Sequence, residues 1–448
     1  MSSDLDVGSR LLTGWGRTAP TAATVVPIRH ADDVGVVLRA ATGRGLIARG
    51  LASSYGDPAQ NAGGTVLDML AADRIIELDR VAGVLTVDAG ASFDRVMRAL
   101  LPNGWFLPVT PGTRRVTIGG ALAADVHGKN HHADGSIGRH VRSLRLVLAD
   151  GSVRDIGPDN DAELFWATLG GMGLTGVIVR ATISLLPVES AFMTVTTRRG
   201  RDLDAVLEAI GDADHHRYSV AWIDCGRGGR GIVTSGEHAP LDALPRRQRA
   251  TARRFRPKVR AAVPVELPLG VVNALTASAF NQAWYAKAPR LRVDEILPLA
   301  GFFHPLDAVA SWNRLYGPHG FLQYQCVVPD TEVLRTVLND LSDGRIPTAL
   351  AVLKRFGPGN PGPLSFPRPG WTLALDIPAG VPELAEVLDR IDERVAACGG
   401  AVYLAKDSRL QPRLMSVMYP RLDDWTAVRD RVDPARLFRS DLSRRLSL

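Results

Sequence analysis

Up to Pro187, short apolar runs of strand length alternate with segments of helical period. Val25–Ile28 reads as a strand. Ala31-Asp32-Asp33 then opens a helix, its carboxylates at the end the macrodipole favours and Val36, Val37, Leu38 and Ala41 on its apolar side. Gly43-Arg44-Gly45 ends it, and Leu46–Ala48 is a strand running into the loop Arg49–Asp57. Strands are expected at Val66–Asp68, Ile75–Leu78 and Val84–Asp88, a helix over Ser92–Leu101, and a second small-residue loop over Pro111–His132. Strands Val141–Ala149 and Val153–Ile156 flank the turn Asp150-Gly151, followed by a helix over Asp161–Thr168 and a strand over Val177–Leu186.

Beyond residue 190 the composition changes: residues 190–400 hold half of the tryptophans and a basic run. The tail Ala401–Leu448 returns to strand then helix, with Tyr403–Lys406 extended and Asp423–Arg431 helical. The 448 residues suggest two or three domains, and 46% apolar and 22% charged residues are ordinary for a globular chain. The three cysteines are scattered, which argues against a disulfide framework and a zinc site. The N-terminus lacks the apolar core of a signal peptide, and no stretch reaches the about 18 apolar residues of a spanning helix. A soluble or peripheral protein is expected.

Two glycine-rich segments carry the candidate chemistry. The first, Arg49-Gly50-Leu51-Ala52-Ser53-Ser54-Tyr55-Gly56-Asp57, follows a strand, and its small residues let backbone N–H groups wrap a diphosphate. The second runs from Pro111-Gly112 through Thr117-Ile118-Gly119-Gly120 to Asp125-Val126-His127-Gly128. There Gly119-Gly120 permits close approach and Thr117 adds a hydroxyl donor. Each segment alone reads equally as a tight turn. Gly171-Met172-Gly173-Leu174-Thr175-Gly176 is formally GxGxxG, but its helix comes before and its strand after, the reverse of a dinucleotide fingerprint. His127 and His131 are spaced for a metal only on a helix, and Gly128-Lys129-Asn130 is poor helix sequence.

With both segments in this order, the chain resembles the vanillyl-alcohol-oxidase type of flavoprotein. The resemblance implies an α+β fold of two domains: an FAD-binding domain over 1–188, an antiparallel-sheet substrate domain over 189–400, and a C-terminal segment, 401–448, returning to the FAD domain. It implies FAD contacts from Arg49, Gly50, Leu51, Ser53, Ser54, Tyr55, Gly56 and Asp57, from Gly112, Thr117, Ile118, Gly119, Gly120, Asp125 and His127, and from Ile178 and Tyr403. Many members bind FAD covalently through a histidine in the first loop. The matching position here is Ser53, so noncovalent FAD is implied.

Five longer strings narrow the resemblance: Leu12–Pro20, His127–His132, Gly320–Gln325, Pro363–Pro367 and Lys406-Asp407-Ser408-Arg409. They are similar to the decaprenylphosphoryl-β-D-ribose 2′-oxidase family. This implies oxidation of a ribose 2′-hydroxyl on a polyprenyl-phosphate sugar, with a separate NADH-dependent reductase returning hydride to the ketone. Well-known members carry a cysteine after Pro-Gly-Trp-x-x, the covalent target of nitroaromatic inhibitors. Here Ala374 stands there, which puts covalent inhibition in doubt but not catalysis. An aldonolactone or alditol oxidase of the same fold is the second reading, and a flavin-free scaffold the third.

The resemblance makes Lys406, at the end of the apolar run Val402–Ala405, the first choice to take the hydroxyl proton. On residues alone it reads as a surface lysine. His127 and Tyr55 are placed near the flavin. Gln323 and Gln325 share a strand face, opposite Leu322, Tyr324 and Cys326; that face suits either sugar hydroxyls or water. Lys354, after the apolar run Ala349–Leu353, is a candidate for the substrate phosphate. Trp222 and Phe303 are candidates for the pocket wall and read equally as core.

Arg246–Arg260 holds eight lysines and arginines and no acid, and the mostly apolar Ala261–Pro264 and Leu267–Leu275 follow. That pairing suits peripheral contact with a membrane at the cell envelope, and equally a solvated loop. No aromatic-interleaved or helix-turn-helix pattern points to nucleic acid.

Overall fold

The structure, a computed structural model, describes residues 7–41, 43–266 and 271–448. The first four strands form one sheet in the order Gly8–Leu12, Thr21–Pro27, Thr65–Asp68, Leu46–Arg49, parallel across its last three members. The helix Ala31–Ala40 makes the crossover. Its buried residues are Val34, Val37 and Leu38, while Val36 is exposed, a correction to the expected apolar side. Val34 and Leu38, a turn apart, define the stripe that meets the sheet.

A second, antiparallel sheet runs Ile75–Asp79, Val84–Asp88, Val177–Ser184, Val141–Val147, Val153–Ile156. Against it lies a short helix, Ile118–Ala123, where a loop was expected. Two glycines give poor helix propensity. The turn forms because Thr117 caps it, its Oγ1 accepting from Gly120 N–H at 3.2 Å, and because Ile118, Ala121 and Leu122 are buried.

The third sheet has eight strands, in the order Leu291–Pro298, Phe192–Gly200, Gly231–His238, Tyr218–Ile223, Leu350–Phe356, Gly370–Pro378, Phe321–Val328, Ala401–Val402. Its two faces have separate fates. Tyr324 donates to Asp392 on the helix Leu384–Ala397 at 2.9 Å, so the Tyr324–Cys326 face lies under a helical layer. Gln323 and Gln325 point the other way, toward the glycine-rich segments. The cross-strand register aligns Gln325, Ala374, Val352 and Trp222 in one row and Gln323, Asp376 and Leu350 in the next.

After Val402 the chain turns instead of continuing extended. Lys406 N–H and Asp407 N–H both return to Tyr403 O, at 2.9 and 3.1 Å. The tail then packs on the first sheet, with Arg439 N–H donating to Leu46 O at 2.9 Å.

Candidate active site

The two glycine-rich segments meet in space. Ser53 Oγ donates to Arg115 O, tying one to the other. Gly50 lies directly against Thr117: a Cβ on Gly50 would fall 2.2 Å from Thr117 Oγ1. A Cβ on Gly56 would fall 1.9 Å from Asp407 O, so the first loop is also pressed against the turn that carries Lys406. Tyr55 N–H donates to Ala405 O at 3.1 Å and completes that contact. Among the described residues, the N–H groups of Leu51, Ala52, Ser53 and Ser54 find no acceptor. Ala52 sits in the left-handed region at φ 56°. Four consecutive free amides in such a loop form an anion-binding concavity. A Cβ on Gly112 would meet nothing within 4 Å, so nothing in the chain itself requires glycine there.

Opposite this cradle, His127 and Gln325 join across 2.9 Å, between His127 Nε2 and the Gln325 amide nitrogen. The same nitrogen donates to Thr372 Oγ1 at 2.9 Å, and Thr372 donates on to Cys326 O. Accepting at Nε2 puts the proton of neutral His127 on Nδ1, which is buried without a partner. Burial, with Lys354, His131 and Lys406 nearby, holds its pKa well below the usual range, so the ring stays neutral. The Lys406 Nζ lies 5.2 Å from the Tyr55 ring centroid. Burial lowers the Lys406 pKa and Asp376 opposes that shift. Lys354 and Lys129 are partly solvent-accessible, yet protein surrounds their ammonium groups, and burial pushes both down to about 7.

The family described as FAD binding domain matches residues 22–157. Over the whole chain, and 99% of its partner, the sequence is 43% identical to decaprenylphosphoryl-β-D-ribose oxidase of Mycolicibacterium smegmatis. The chain belongs to the decaprenylphosphoryl-β-D-ribose oxidase family. An uncharacterised protein of Streptomyces coelicolor is 42% identical across 79% of the chain. An alditol oxidase of a Streptomyces species is 26% identical across 98% of it.

As a family member the chain binds FAD, and the residues present fit it. The free amides of Leu51–Ser54 suit the diphosphate, and the small residues Gly50, Gly119 and Gly120 keep side chains out of its way. The first loop contains no histidine or cysteine for a covalent bond. Several of the groups expected to contact FAD already have partners within the chain. Ile118 and Gly119 N–H groups donate to Ala91 O and Ala89 O at 2.9 and 2.7 Å, so this helix start offers the absence of side chains and not free donors. The Thr117 hydroxyl serves first as the helix cap. Arg49 spends its guanidinium on Thr13 O and Ala59 O, and Asp57 pairs with Arg445 at 2.8 Å; both are braces of the loop. Asp125, fully buried, accepts from Gly138 N–H, Asn360 and Ser365, and so clamps the cradle to the Pro363–Pro367 string. Tyr403 donates to Ala124 O at 2.7 Å and stacks on Phe366, and its ring lies 5.1 Å from that of His127, which keeps it beside the cradle. Ile178 lies, buried, in the strand that leaves the Gly171–Gly176 loop.

On the substrate side the face of glutamines is buried, Gln323 at 6% and Gln325 at 1% exposure, so the water-facing alternative fails. Trp222 shares their face and is half-buried, with Nε1 3.4 Å from Ala349 O. Lys354 lies within its strand instead of following it. Phe303 is a correction: it is 1% exposed and packed among Phe106, Tyr218, His238 and Phe302, which makes it core. Sequence reasoning missed Asp376, Thr372 and Lys129. For Asp376 a signal existed, a lone carboxylate inside the apolar strand Gly370–Pro378.

Proposed function

We propose that this chain oxidises the 2′-hydroxyl of a polyprenylphosphoryl-β-D-ribose to the ketone, the first half of an epimerisation to the arabinose lipid used in cell-wall arabinan. The observation that carries the reading is the end-to-end match to a relative named for that substrate, together with a cluster of buried lysines close enough to Asp376 and to one another to shift each other's charge. FAD, when bound, supplies the hydride acceptor. Lys406 is the group that takes the hydroxyl proton: its neutral form is accessible near neutrality because burial disfavours the ammonium. Tyr55 walls the cleft beside it. Gln325, held by His127 and Thr372, presents a fixed amide to the sugar. Lys354, backed by Lys129, offers positive charge to the phosphate, and the phosphate in turn restores their protonated forms. Trp222 closes the same face. The residues divide as 1–188 for FAD, 189–400 for substrate and 401–448 for the returning segment that delivers Lys406. A separate NADH-dependent reductase completes the epimerisation.

The lipid tail calls for contact with a membrane surface. No helix among the described residues is long and apolar enough to cross one. The helix Ala274–Lys287 buries only Ala277 and Asn281 and leaves Leu275 79%, Phe280 49% and Trp284 45% exposed, with Arg290, Leu291 and Arg292 exposed beside it. An apolar surface rimmed by arginine suits an anionic leaflet. The basic run preceding it is anchored: Ala252 and Phe255 are buried, and Ala191 N–H donates to Ala252 O. Leu267–Gly270, part of the apolar segment expected there, lie outside the described residues.

The test is an anaerobic visible spectrum of the purified protein before and after a short-chain polyprenylphosphoryl ribose. Bleaching of the flavin band near ~450 nm supports the reading. A yellow protein that ignores this substrate and bleaches with an alditol or aldonolactone overturns it in favour of the second activity.

A further inference from the structure

One carboxylate at the cleft has no part in the chemistry above. Asp376 is fully buried in the strand Gly370–Pro378, directly across from Gln323 on one side and Leu350 on the other. Gln323 donates its amide N–H to Asp376 Oδ1. That bond fixes the amide and leaves two acceptors, Asp376 Oδ2 and Gln323 Oε1, both buried and without a partner. An unsatisfied buried acceptor costs on the order of 1–3 kcal/mol, and a charged one more, so adjacent pairs of them persist where a ligand supplies donors. The titratable groups that face the pair are Tyr55, Tyr316 and Lys406, and of these Tyr55 and Lys406 stand beside the reacting hydroxyl in the reading above.

We infer that Gln323 and Asp376 form a subsite that reads a vicinal diol, accepting from the hydroxyl next to the one that is oxidised. This rests on the proposed substrate, in which that neighbour is the ribose 3′-hydroxyl. The 1′ side of the ribose carries the phosphate and offers no O–H, so the only neighbouring donor is on the 3′ side. The subsite matches the chemistry required. A sugar hydroxyl donates to a carboxylate at roughly twice the strength of a neutral bond. The single proton of that hydroxyl satisfies one of the two acceptors at a time, Asp376 Oδ2 or the Gln323 amide oxygen beside it. Burial raises the Asp376 pKa, and Lys406 works against that rise and favours the accepting form.

The experiment compares polyprenylphosphoryl ribose with its 3′-deoxy analogue on wild type, Asp376→Asn and Gln323→Leu, reading kcat and KM and the rate of anaerobic bleaching. Wild type should lose about tenfold to a hundredfold in kcat/KM on the 3′-deoxy substrate, the size of one charge-assisted hydrogen bond. Asp376→Asn should lose a similar factor on the ribose and nothing further on the deoxy analogue, so that the two substrates converge. Gln323→Leu guards against a misfolded Asn variant and should narrow the gap in the same direction. Equal losses on both substrates, or a shifted pH profile with the wild-type preference for the diol intact, would overturn the subsite and leave Asp376 as a group that only tunes Lys406. If the ribose lipid bleaches nothing and an alditol does, the substrate reading falls by itself. The alditol and its vicinal deoxy analogue then decide the subsite in the same way.

Discussion

Lys406 is defined by its surroundings more than by its identity. Its turn, closed by bonds to Tyr403 O, presses it against Tyr55 and away from bulk water. Lys406→Met should keep the yellow colour and slow flavin reduction by about 10²–10⁴-fold, measured by anaerobic stopped flow. In wild type the rate should climb with pH through a value below the ordinary lysine range, because the depressed pKa releases the base earlier. A rate flat across that range would remove Lys406 from the role. Lys354 gives a second pH effect, on stability. Its folded pKa of about 7 lies below the unfolded value, so between the two the unfolded chain binds more protons and stability rises with pH. Thermal unfolding should therefore shift upward from pH 7 toward about pH 10, and Lys354→Met should flatten the slope. At this scale the sequence was informative but incomplete. The alternation that put Gln323 and Gln325 on one face held because strand side chains alternate whatever surrounds them. Phe303 was assigned to the pocket wall because an aromatic side chain looks the same in sequence whether it walls a pocket or fills a core.

The elements that hold the flavin are two segments brought into contact by side chains too small to keep them apart. Gly50→Ala should therefore weaken the cradle, since its methyl would lie 2.2 Å from Thr117 Oγ1. Such overpacking costs typically 1–3 kcal/mol, and purification should yield protein depleted of FAD. Gly112→Ala is the contrasting case. Nothing in the chain crowds it, so the flavin-free protein should melt as wild type does and any loss should appear only in FAD retention. The glycines of both segments were legible in the sequence, and so was their association with each other. The helix Ile118–Ala123 was not, because its residues have poor propensity and tertiary burial plus the Thr117 cap overrides that. The turn at Tyr403–Lys406 was read as extended for the opposite reason: an apolar run has the composition of a strand, and the bend comes from the bonds that return to Tyr403 O and from the close packing of Gly56 on Asp407 O.

At the scale of the whole molecule, the eight-stranded sheet separates its duties by face. One face is covered by helices and the other meets the FAD-binding segments. The exposed helix Ala274–Lys287 stands apart from both, which suits docking on a membrane. Replacing Leu275, Phe280 and Trp284 with serine should leave turnover of a short-chain substrate near wild type while lowering co-sedimentation with vesicles rich in phosphatidylglycerol. Binding that is unchanged by these substitutions would exclude this helix as the contact. The family and the cradle were written in local strings such as Ser53-Ser54-Tyr55-Gly56 and Thr117-Ile118-Gly119-Gly120, because close backbone approach demands small residues wherever the rest of the chain goes. The chemistry of the cleft was decided by the tertiary structure. Gln323 meets Asp376, and Tyr55 meets Lys406, across long stretches of chain. Desolvation, which sets the charge of Lys406, Lys354 and Asp376, is a property of everything that surrounds a group, and no short sequence contains it.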